Sequence, residues 1–516
     1  MDGSPQTPAG GRPRAVVIGA GLGGLATAMR LGAKGYAVTV LDRLDVPGGR
    51  GSALHREGHR FDLGPTIVTV PALLRDLWAA TGRDFDADVD LRPLDPFYEI
   101  RWEDGARFTM RPGAEAMREE VRRLSPGDVR GFERFLRDAE RRYGIGFVGL
   151  GRRPMHEARE MLKVLPAFGL LRADRSIARH AARRVRDPRL RFALSFHPLF
   201  IGGDPFRVTS IYALVSHLEA AFGVHYAMGG VARIAQAMAR AVREDGGAVR
   251  QGATVDRILV DGRRRAAGVL LDTGERVGAE VVVSNADPGH TYDRLLRGLP
   301  KRRWTPARLG GLRWSMGLFV LYFGTRGTRG MWPDVGHHTI LNGPRYAGLV
   351  RDIFRRGVLA EDMSLYLHRP SVTDPSVAPE GDDTFYALAP VPHLGHDACD
   401  WEAARAPFRE RVLGRLERIM PGLRDRMGPE ECLAPPDFRD RYLSPMGSGF
   451  SIEPRILQSA WFRPHNRSEE VENLFLVGAG THPGAGVPGV IAGAEVTAGM
   501  IPEAAAVPAL AGLAAE

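Results

Sequence analysis

Three groups of residues have the types and spacing that chemistry requires. Gly19, Ala20, Gly21, Gly23 and Gly24 lie together after an apolar run, and Asp42 follows 23 residues after Gly19. Gly19, Gly21 and Gly24 fit G-x-G-x-x-G: one glycine makes a tight turn, the next lets a pyrophosphate reach the backbone, and the third lets a helix pack closely on a strand. A carboxylate at Asp42 accepts hydrogen bonds from a ribose. Gly48, Gly49 and Arg50 form the second group, in which a glycine pair lets the chain pass close to a pyrophosphate and a guanidinium can fork onto phosphate oxygens. The third is GAGTHPGAGVPGVIAGAE, from Gly478 to Glu495. Its glycines and prolines hold a backbone loop close to something flat, and the helix that begins near Gly489 offers free N–H groups to it. The chemistry these groups point to is dinucleotide binding.

A βαβ unit must position the first group. Ala15 to Ile18 suits a buried strand, Leu25, Ala28 and Met29 recur at helical spacing as far as Gly35, and Tyr36 to Leu41 is a second strand ending on Asp42. Pro71 to Gly82 reads as an amphipathic helix with Leu73, Leu74, Leu77 and Trp78 on one face. Phe97 to Trp102 and Arg107 to Thr109 read as a hairpin, and helical patterns run from Ala114 to about Leu171 with a break at Ser125-Pro126-Gly127-Asp128. After Gly229-Gly230 come a helix over 231–243, a strand over 253–260, a hairpin at 266–271 and 276–278, and a buried strand over 279–283. Ser315 to Gly324, Ser364 to His368 and Phe385 to Val391 read as strands, Phe408 to Met420 as a helix, and Asn473 to Val477 as a last strand.

At 516 residues the chain exceeds what one core usually supports, so two domains are expected. A hydrophobic content of 44% with 25% charged residues is that of an ordinary globular protein. Cys399 and Cys432 are too few for a disulfide framework and lack metal-ligand spacing, which points to a reducing compartment and no metal site. The net charge of +9 is spread over the chain without a nucleic-acid fold signature, so no nucleic-acid partner is expected. Residues 1–13 read as a loose leader and 504–516 as a tail that frays. No run reaches the roughly 18 apolar residues of a membrane-spanning helix. Pro154 to Leu171 is apolar, however, and Arg172 to Arg191 carries eight arginines against two acids, a combination suited to lying in anionic headgroups. His197, amid apolar residues, reads as a hydrogen-bonded core residue instead of a base.

Taken together, GAGLGGLATAMRL, LDRLDVPGGRG and FDLGPTIVT near the start, FHPLFIGGDPF and SNAD in the middle, and SAWFRPHN with NLFLVGAGTHPGAGVPGVI near the end resemble the bacterial and fungal type of phytoene desaturase. The resemblance runs over nearly the whole chain. It implies FAD, with Gly48-Gly49-Arg50 as a second flavin signature and Gly64, Pro65 and Thr66 in a backbone turn near the cofactor. Val255 then meets the adenine through its main chain, Asn285 lies where the chain returns to the nucleotide domain, and Gly480, Gly489 and Val490 serve the flavin ring. Asp42 stands where Glu is commoner in the wider superfamily, and Gly478-Ala479-Gly480 where Gly-Asp is often found. Arg159-Glu160-Met161-Leu162 resembles an Arg-Asp-Met-Leu stretch of relatives whose acid has been considered for acid-base work, which makes Glu160 and Arg159 the candidate catalytic residues.

The expected architecture is α/β, with a Rossmann-type FAD-binding domain assembled from 14–85, 220–300 and 463–503. Residues 86–219 and 301–462 form a mixed α+β domain that binds substrate and, through a helical region, contacts the membrane. The implied activity is stepwise hydride transfer to flavin from phytoene and partly desaturated carotenoids, giving neurosporene or lycopene, with a quinone or oxygen as electron acceptor. The implied location is peripheral, on the cytoplasmic side of the membrane. Another carotenoid flavoenzyme such as an isomerase, or a non-catalytic prenyl-binding escort protein, are the alternative readings.

Overall fold

The computed structural model describes residues 11–396 and 399–507, and the expected leader and tail fall largely outside them. Where the tail is described it is anchored: Ala504 is buried and its N–H donates to Lys34 O at 3.1 Å. The expectation that fraying starts at residue 504 is corrected accordingly.

β1 (Arg14–Ile18) is buried at Ala15 to Ile18 and pairs in parallel with β2 (Ala37–Leu41) on one side and with Val281–Ser284 on the other. Ala248–Arg250 extends the sheet beyond β2, and Leu474–Leu476 extends it beyond Val281–Ser284, again in parallel. A parallel sheet covered on both faces needs apolar residues without alternation, which explains the runs AVVI, AVTVL and VVVS. α1 (Leu22–Ala33) covers one face together with the helices Ala232–Glu244 and Val487–Met500. The other face packs on an antiparallel sheet of Val255–Val260, Ala266–Leu271 and Arg276–Gly278 through Val16, Ile18, Val282, Ile258 and Val269. The chain leaves β1 to one side and returns on the other, so the carboxyl end of β1 is a switch point at which a crevice opens.

The second body is a seven-stranded sheet in the order Met427–Leu433, Gly317–Thr325, Asp383–Val391, Leu365–His368, His338–Leu341, Tyr98–Arg101, Arg107–Met110. All its pairs are antiparallel except that between His338–Leu341 and Tyr98–Arg101. The hairpin and three long strands lie where expected. His338–Leu341 and Met427–Leu433 were not anticipated, the first because it has only four residues and opens on a histidine, the second because Glu430 and Glu431 interrupt its apolar pattern. The helix expected from Phe408 starts at Trp401, because the Asp400 carboxylate caps it by accepting from the N–H groups of Glu402 and Ala403. The expected border at 219/220 falls within the helix Leu214–Phe222, whose Leu214 and Leu218 pack into the core beneath the parallel sheet.

One long helix stands outside the packed cores of both bodies. Ala158–Leu170 is a helix with no buried residue, and Leu162, Leu165 and Leu170 are 65%, 48% and 82% exposed.

The seven-stranded sheet contains a fully buried ion pair. Arg369 Nη2 donates to Asp383 Oδ2 at 2.8 Å, and Ser371 and Thr328 hydroxyls donate to the same carboxylate at 2.5 and 2.9 Å. Burial alone raises the Asp383 pKa, but the donors, Arg369 first, outweigh it and hold the carboxyl below its usual range. Asp383→Ala strands a buried guanidinium and is expected to cost about 3–5 kcal/mol in denaturant unfolding at neutral pH. Because the folded pKa is depressed, this contribution is present above the ordinary aspartate pKa of about 3.9 and is lost as pH falls toward the folded value. The wild-type and Asp383→Ala unfolding curves should therefore converge in acid.

Candidate functional site

α1 begins on Gly21 with no side-chain cap and no acid in its first turn, so its terminal N–H groups and positive dipole end are free for an anion. The helix lies so close to β1 that a Cβ on Gly24 would stand 2.1 Å from Gly19 O. A Cβ on Gly21 would come within 2.6 Å of Asn285 Nδ2, because Asn285 fills the space beside the glycine turn from the neighbouring strand. Asp42 is 7% exposed, and accepts from Ala20 N–H at 2.6 Å and from Leu44 N–H at 2.8 Å. Burial pushes its carboxyl up against the pull of those bonds, and each oxygen keeps a second lone pair for a ribose hydroxyl.

Gly48 N–H donates to Ala20 O at 2.8 Å, which brings Arg50 beside the turn. The Arg50 guanidinium donates to Ser444 Oγ and lies over the Tyr442 ring at 5.7 Å, and its Nε is buried with no partner. Burial lowers its pKa against the opposing pull of the nearby Asp287 carboxylate. The turn at 63–66 is held from the seven-stranded sheet by three tyrosines. Tyr322 Oη donates to Leu63 O at 3.1 Å, Tyr386 Oη donates to Gly64 O at 3.2 Å, and Tyr366 and Thr66 share a hydrogen at 2.6 Å. The C-terminal loop is held by Arg463, fully buried, whose guanidinium donates to the carbonyls of Ala479, Thr481 and Ile452 at 2.6, 3.0 and 3.2 Å. Asn466 Nδ2 adds a bond to His482 O at 2.9 Å. The helix Val487–Met500 beyond that loop starts on Gly486, again without a side-chain cap or a first-turn acid.

These parts surround one cavity of about 540 Å³, within the range of small-molecule sites. Gly19, Gly21, Gly23, Asp42, Gly48, Gly49, Arg50, Gly64, Pro65, Thr66, Val255, Asn285, Gly489 and Val490 all line it. Ala20, Gly24 and Gly480 stand behind its wall: Ala20 holds Asp42, Gly24 takes the close helix approach, and a Cβ on Gly480 would lie 2.3 Å from Pro288 Cδ. The same cavity is also lined by the apolar side chains of Phe147, Phe168, Leu199, Phe200, Ile211 and Leu388.

The structure does not bring Glu160 or Arg159 to this cavity. Glu160 belongs to the exposed helix Ala158–Leu170, where Lys163 Nζ donates to it at 2.7 Å and holds its carboxyl below the usual range. From that helix it is Phe168, about two turns on, that lines the cavity. His197 is buried and hydrogen-bonded as expected of a core residue, yet it also lines the cavity, beside Glu219. The tyrosine clamp, Arg463 and Glu219 were not anticipated. A lone acid in the apolar helix LVSHLEAAF was the available signal for Glu219.

His337, His338 and His368 also meet, with ring nitrogens within 4.8 Å of one another, in the sheet and not in the cavity wall. His337 bonds Thr373 Oγ1 at 2.6 Å and His368 Nε2 at 3.1 Å, and His338 Nδ1 donates to Phe97 O at 2.9 Å. Burial lowers the pKa of all three, so they form a neutral hydrogen-bonded seam.

The family model for flavin containing amine oxidoreductases matches residues 22–501. A neurosporene-forming phytoene desaturase of Cereibacter sphaeroides is 67% identical over 499 residues, covering 96% of each chain. The chain belongs to the phytoene desaturases of that family. A second such desaturase, from Rhodobacter capsulatus, is 61% identical, covering 96% of this chain and 95% of its own. Among solved structures, an oxidoreductase from Methanosarcina mazei superposes with a TM-score of 0.63 at 20% identity, covering 93% of this chain and 98% of that one. The cofactor of this desaturase is FAD, and the cavity fits it. Two uncapped helix N-termini and the orphan Arg50 Nε await anionic or electron-rich groups, and Asp42 has lone pairs for a ribose.

Three variants test this placement. Gly21→Val fills the turn and is expected to purify colourless. Arg50→Ala removes a charge-assisted contact of about 1.5–3 kcal/mol and should weaken FAD binding roughly 10- to 100-fold by flavin fluorescence. Glu160→Gln should keep its flavin and turn over within about threefold of wild type.

Proposed function

We propose that this protein desaturates phytoene in carotenoid biosynthesis, using FAD and passing through partly desaturated intermediates to neurosporene. One observation carries the reading: a single cavity is lined both by the dinucleotide turn and by apolar side chains such as Phe147, Phe168, Leu199 and Phe200, from which we infer an apolar arm for the substrate. A forty-carbon hydrocarbon offers no polar handle, so only such an arm can select it, by shape and exclusion of water. Neurosporene is chosen over lycopene because both desaturases named above are neurosporene-forming.

Bound FAD supplies the hydride acceptor for the C–H bond that breaks. The chain's own residues do the rest. Arg50 and the two helix N-termini hold the cofactor, the tyrosine clamp fixes the 63–66 turn, and Phe147, Phe168 and Phe200 keep the reacting carbons dry and aligned. A second and third double bond follow when the substrate shifts along the arm. Each double bond releases two electrons, and only one dinucleotide fingerprint is present, so we assign a quinone or oxygen as the final acceptor and not a nicotinamide.

We also place the protein on the cytoplasmic surface of the membrane. The helix Ala158–Leu170 exposes Leu162, Leu165 and Leu170 while Phe168 of the same helix lines the cavity. Ile456 lines it as well, and its neighbour Leu457 is 69% exposed. Exposed leucines on the segments that supply Phe168 and Ile456 to the cavity, followed in sequence by the arginine-rich stretch 172–191, suit an entry port pressed into anionic lipid. No described helix is long and apolar enough to cross a membrane.

Anaerobic mixing of the flavoprotein with phytoene in liposomes should bleach the flavin, and added quinone should then release coloured neurosporene. Isomerised phytoene without loss of hydrogen, or colour that requires stoichiometric NAD, would sink the reading. Wild type should float with anionic vesicles, and the triple change of Leu162, Leu165 and Leu170 to serine should abolish flotation while leaving the flavin in place.

A further inference from the structure

Making a double bond removes a hydride from one carbon and a proton from its neighbour. Glu160, on its exposed helix, cannot receive that proton. Among the described residues that line the cavity only two carry a carboxylate, Asp42 and Glu219. Asp42 has both oxygens engaged by backbone N–H groups at the ribose position. Glu219 is different. It is 2% exposed, sits on the apolar helix Leu214–Phe222, and only one of its oxygens is bonded.

The bonded oxygen, Oε2, accepts from Tyr98 Oη at 2.7 Å. His197 Nε2 lies 3.1 Å from the same oxygen and 3.1 Å from Tyr98 Oη. With the phenol proton spent on the carboxylate, Nε2 must be the nitrogen that carries hydrogen and donates. The His197 ring is itself held by Phe196, stacked at 4.4 Å between centroids. Tyr98 and His197 are each 1% exposed, so this triangle is rigid and dry. It leaves Glu219 Oε1 and His197 Nδ1 buried without a partner, on two residues that both line the cavity. A buried carboxylate with an unmet oxygen costs stability, and here the unmet oxygen belongs to a residue of the cavity wall.

Resting on the phytoene reading above, we propose that Glu219 is the catalytic residue that accepts the proton, and that Tyr98 and His197 are positioning residues that grip Oε2 and leave Oε1, on the cavity wall, without a partner of its own. The hydride departs with its electron pair to FAD, which is reduced. The C–H bond on the adjacent carbon breaks, its electron pair becomes the new C=C bond, and its proton goes to Glu219 Oε1. The neutral acid returns that proton to water when the substrate shifts or leaves. Tyr98 comes from the hairpin at the edge of the seven-stranded sheet and Glu219 from a helix packed under the parallel sheet, so the base forms only where the two bodies meet.

Glu219→Gln keeps the size and the acceptor for Tyr98 but removes the charge. The flavin-free variant is expected to unfold at the same temperature as flavin-free wild type or higher, since an unmet buried charge is gone. It should bind FAD within twofold, while phytoene turnover in liposomes falls more than tenfold, in the range of about 10²–10⁴ typical of a lost general base. Glu219→Asp should recover part of the turnover. A loss smaller than tenfold in Glu219→Gln overturns the proposal. So does a lower unfolding temperature with loss of flavin in both variants, which would make Glu219 structural. Wild type that holds FAD and leaves phytoene unchanged removes the substrate reading and this proposal together. Active wild type with an equally active Glu219→Gln removes the proposal alone.

Discussion

The close approach of α1 to β1 is the constraint on which the rest of the site depends. With a Cβ on residue 24 only 2.1 Å from Gly19 O, no side chain can exist there. The helix therefore starts immediately at the carboxyl end of the central strand, with its N–H groups facing the crevice and no side chain of its own to occupy them. Asn285 enters from the adjacent strand and takes up the volume that the glycines leave. The bond from Gly48 N–H to Ala20 O then fixes where Arg50 can stand. Geometry at a few backbone atoms thus decides where the cation and the helix dipole converge.

Hydrogen bonds that engage no carboxylate tie the second body and the C-terminal loop to this frame. Tyrosine hydroxyls from three neighbouring strands reach the 63–66 turn, and the Arg463 guanidinium is spent on peptide carbonyls of the C-terminal loop. Such bonds set position through hydroxyls and peptide carbonyls. Arg50 can then keep an unmet donor in a buried place, a condition that is costly in an isolated protein and satisfied by a phosphate.

What was legible in the sequence had its cause in local backbone need. The glycine fingerprints stand where close approach requires them, and the parallel strands show as unbroken valine-rich runs because both faces are covered. The hairpin before residue 111 was visible from its turn. The start of the helix at Trp401 was missed because an aspartate cap, and not the apolar pattern, decides it. That Arg159 and Glu160 lie away from the cavity has a deeper reason. Arg159 and Glu160 matched a short local motif, and local similarity carries no information about which face of a helix meets a cavity. Glu219 and Tyr98 stand 121 residues apart, so their pairing exists only in three dimensions. His197 was rightly read as a buried, bonded histidine, but burial and a place on the cavity wall are compatible when the wall itself is the core.

The five-stranded sheet is assembled from chain segments that leave the ribosome far apart in time. β1 pairs with Val281–Ser284 along one whole edge, and the outermost strand and the loop that closes the crevice come only after residue 473. At about 5–20 residues per second, roughly half a minute to a minute and a half separates the birth of the glycine turn from that of the helix that completes its pocket. Until Val281–Ser284 emerges β1 carries an open apolar edge, and from then until Leu474–Leu476 emerges Val281–Ser284 carries it, the kind of surface that chaperones guard and that mispairs when they fail. Loading of the flavin is thereby postponed to the last stage of biosynthesis. Its binding then draws the finished chain toward the native state by mass action.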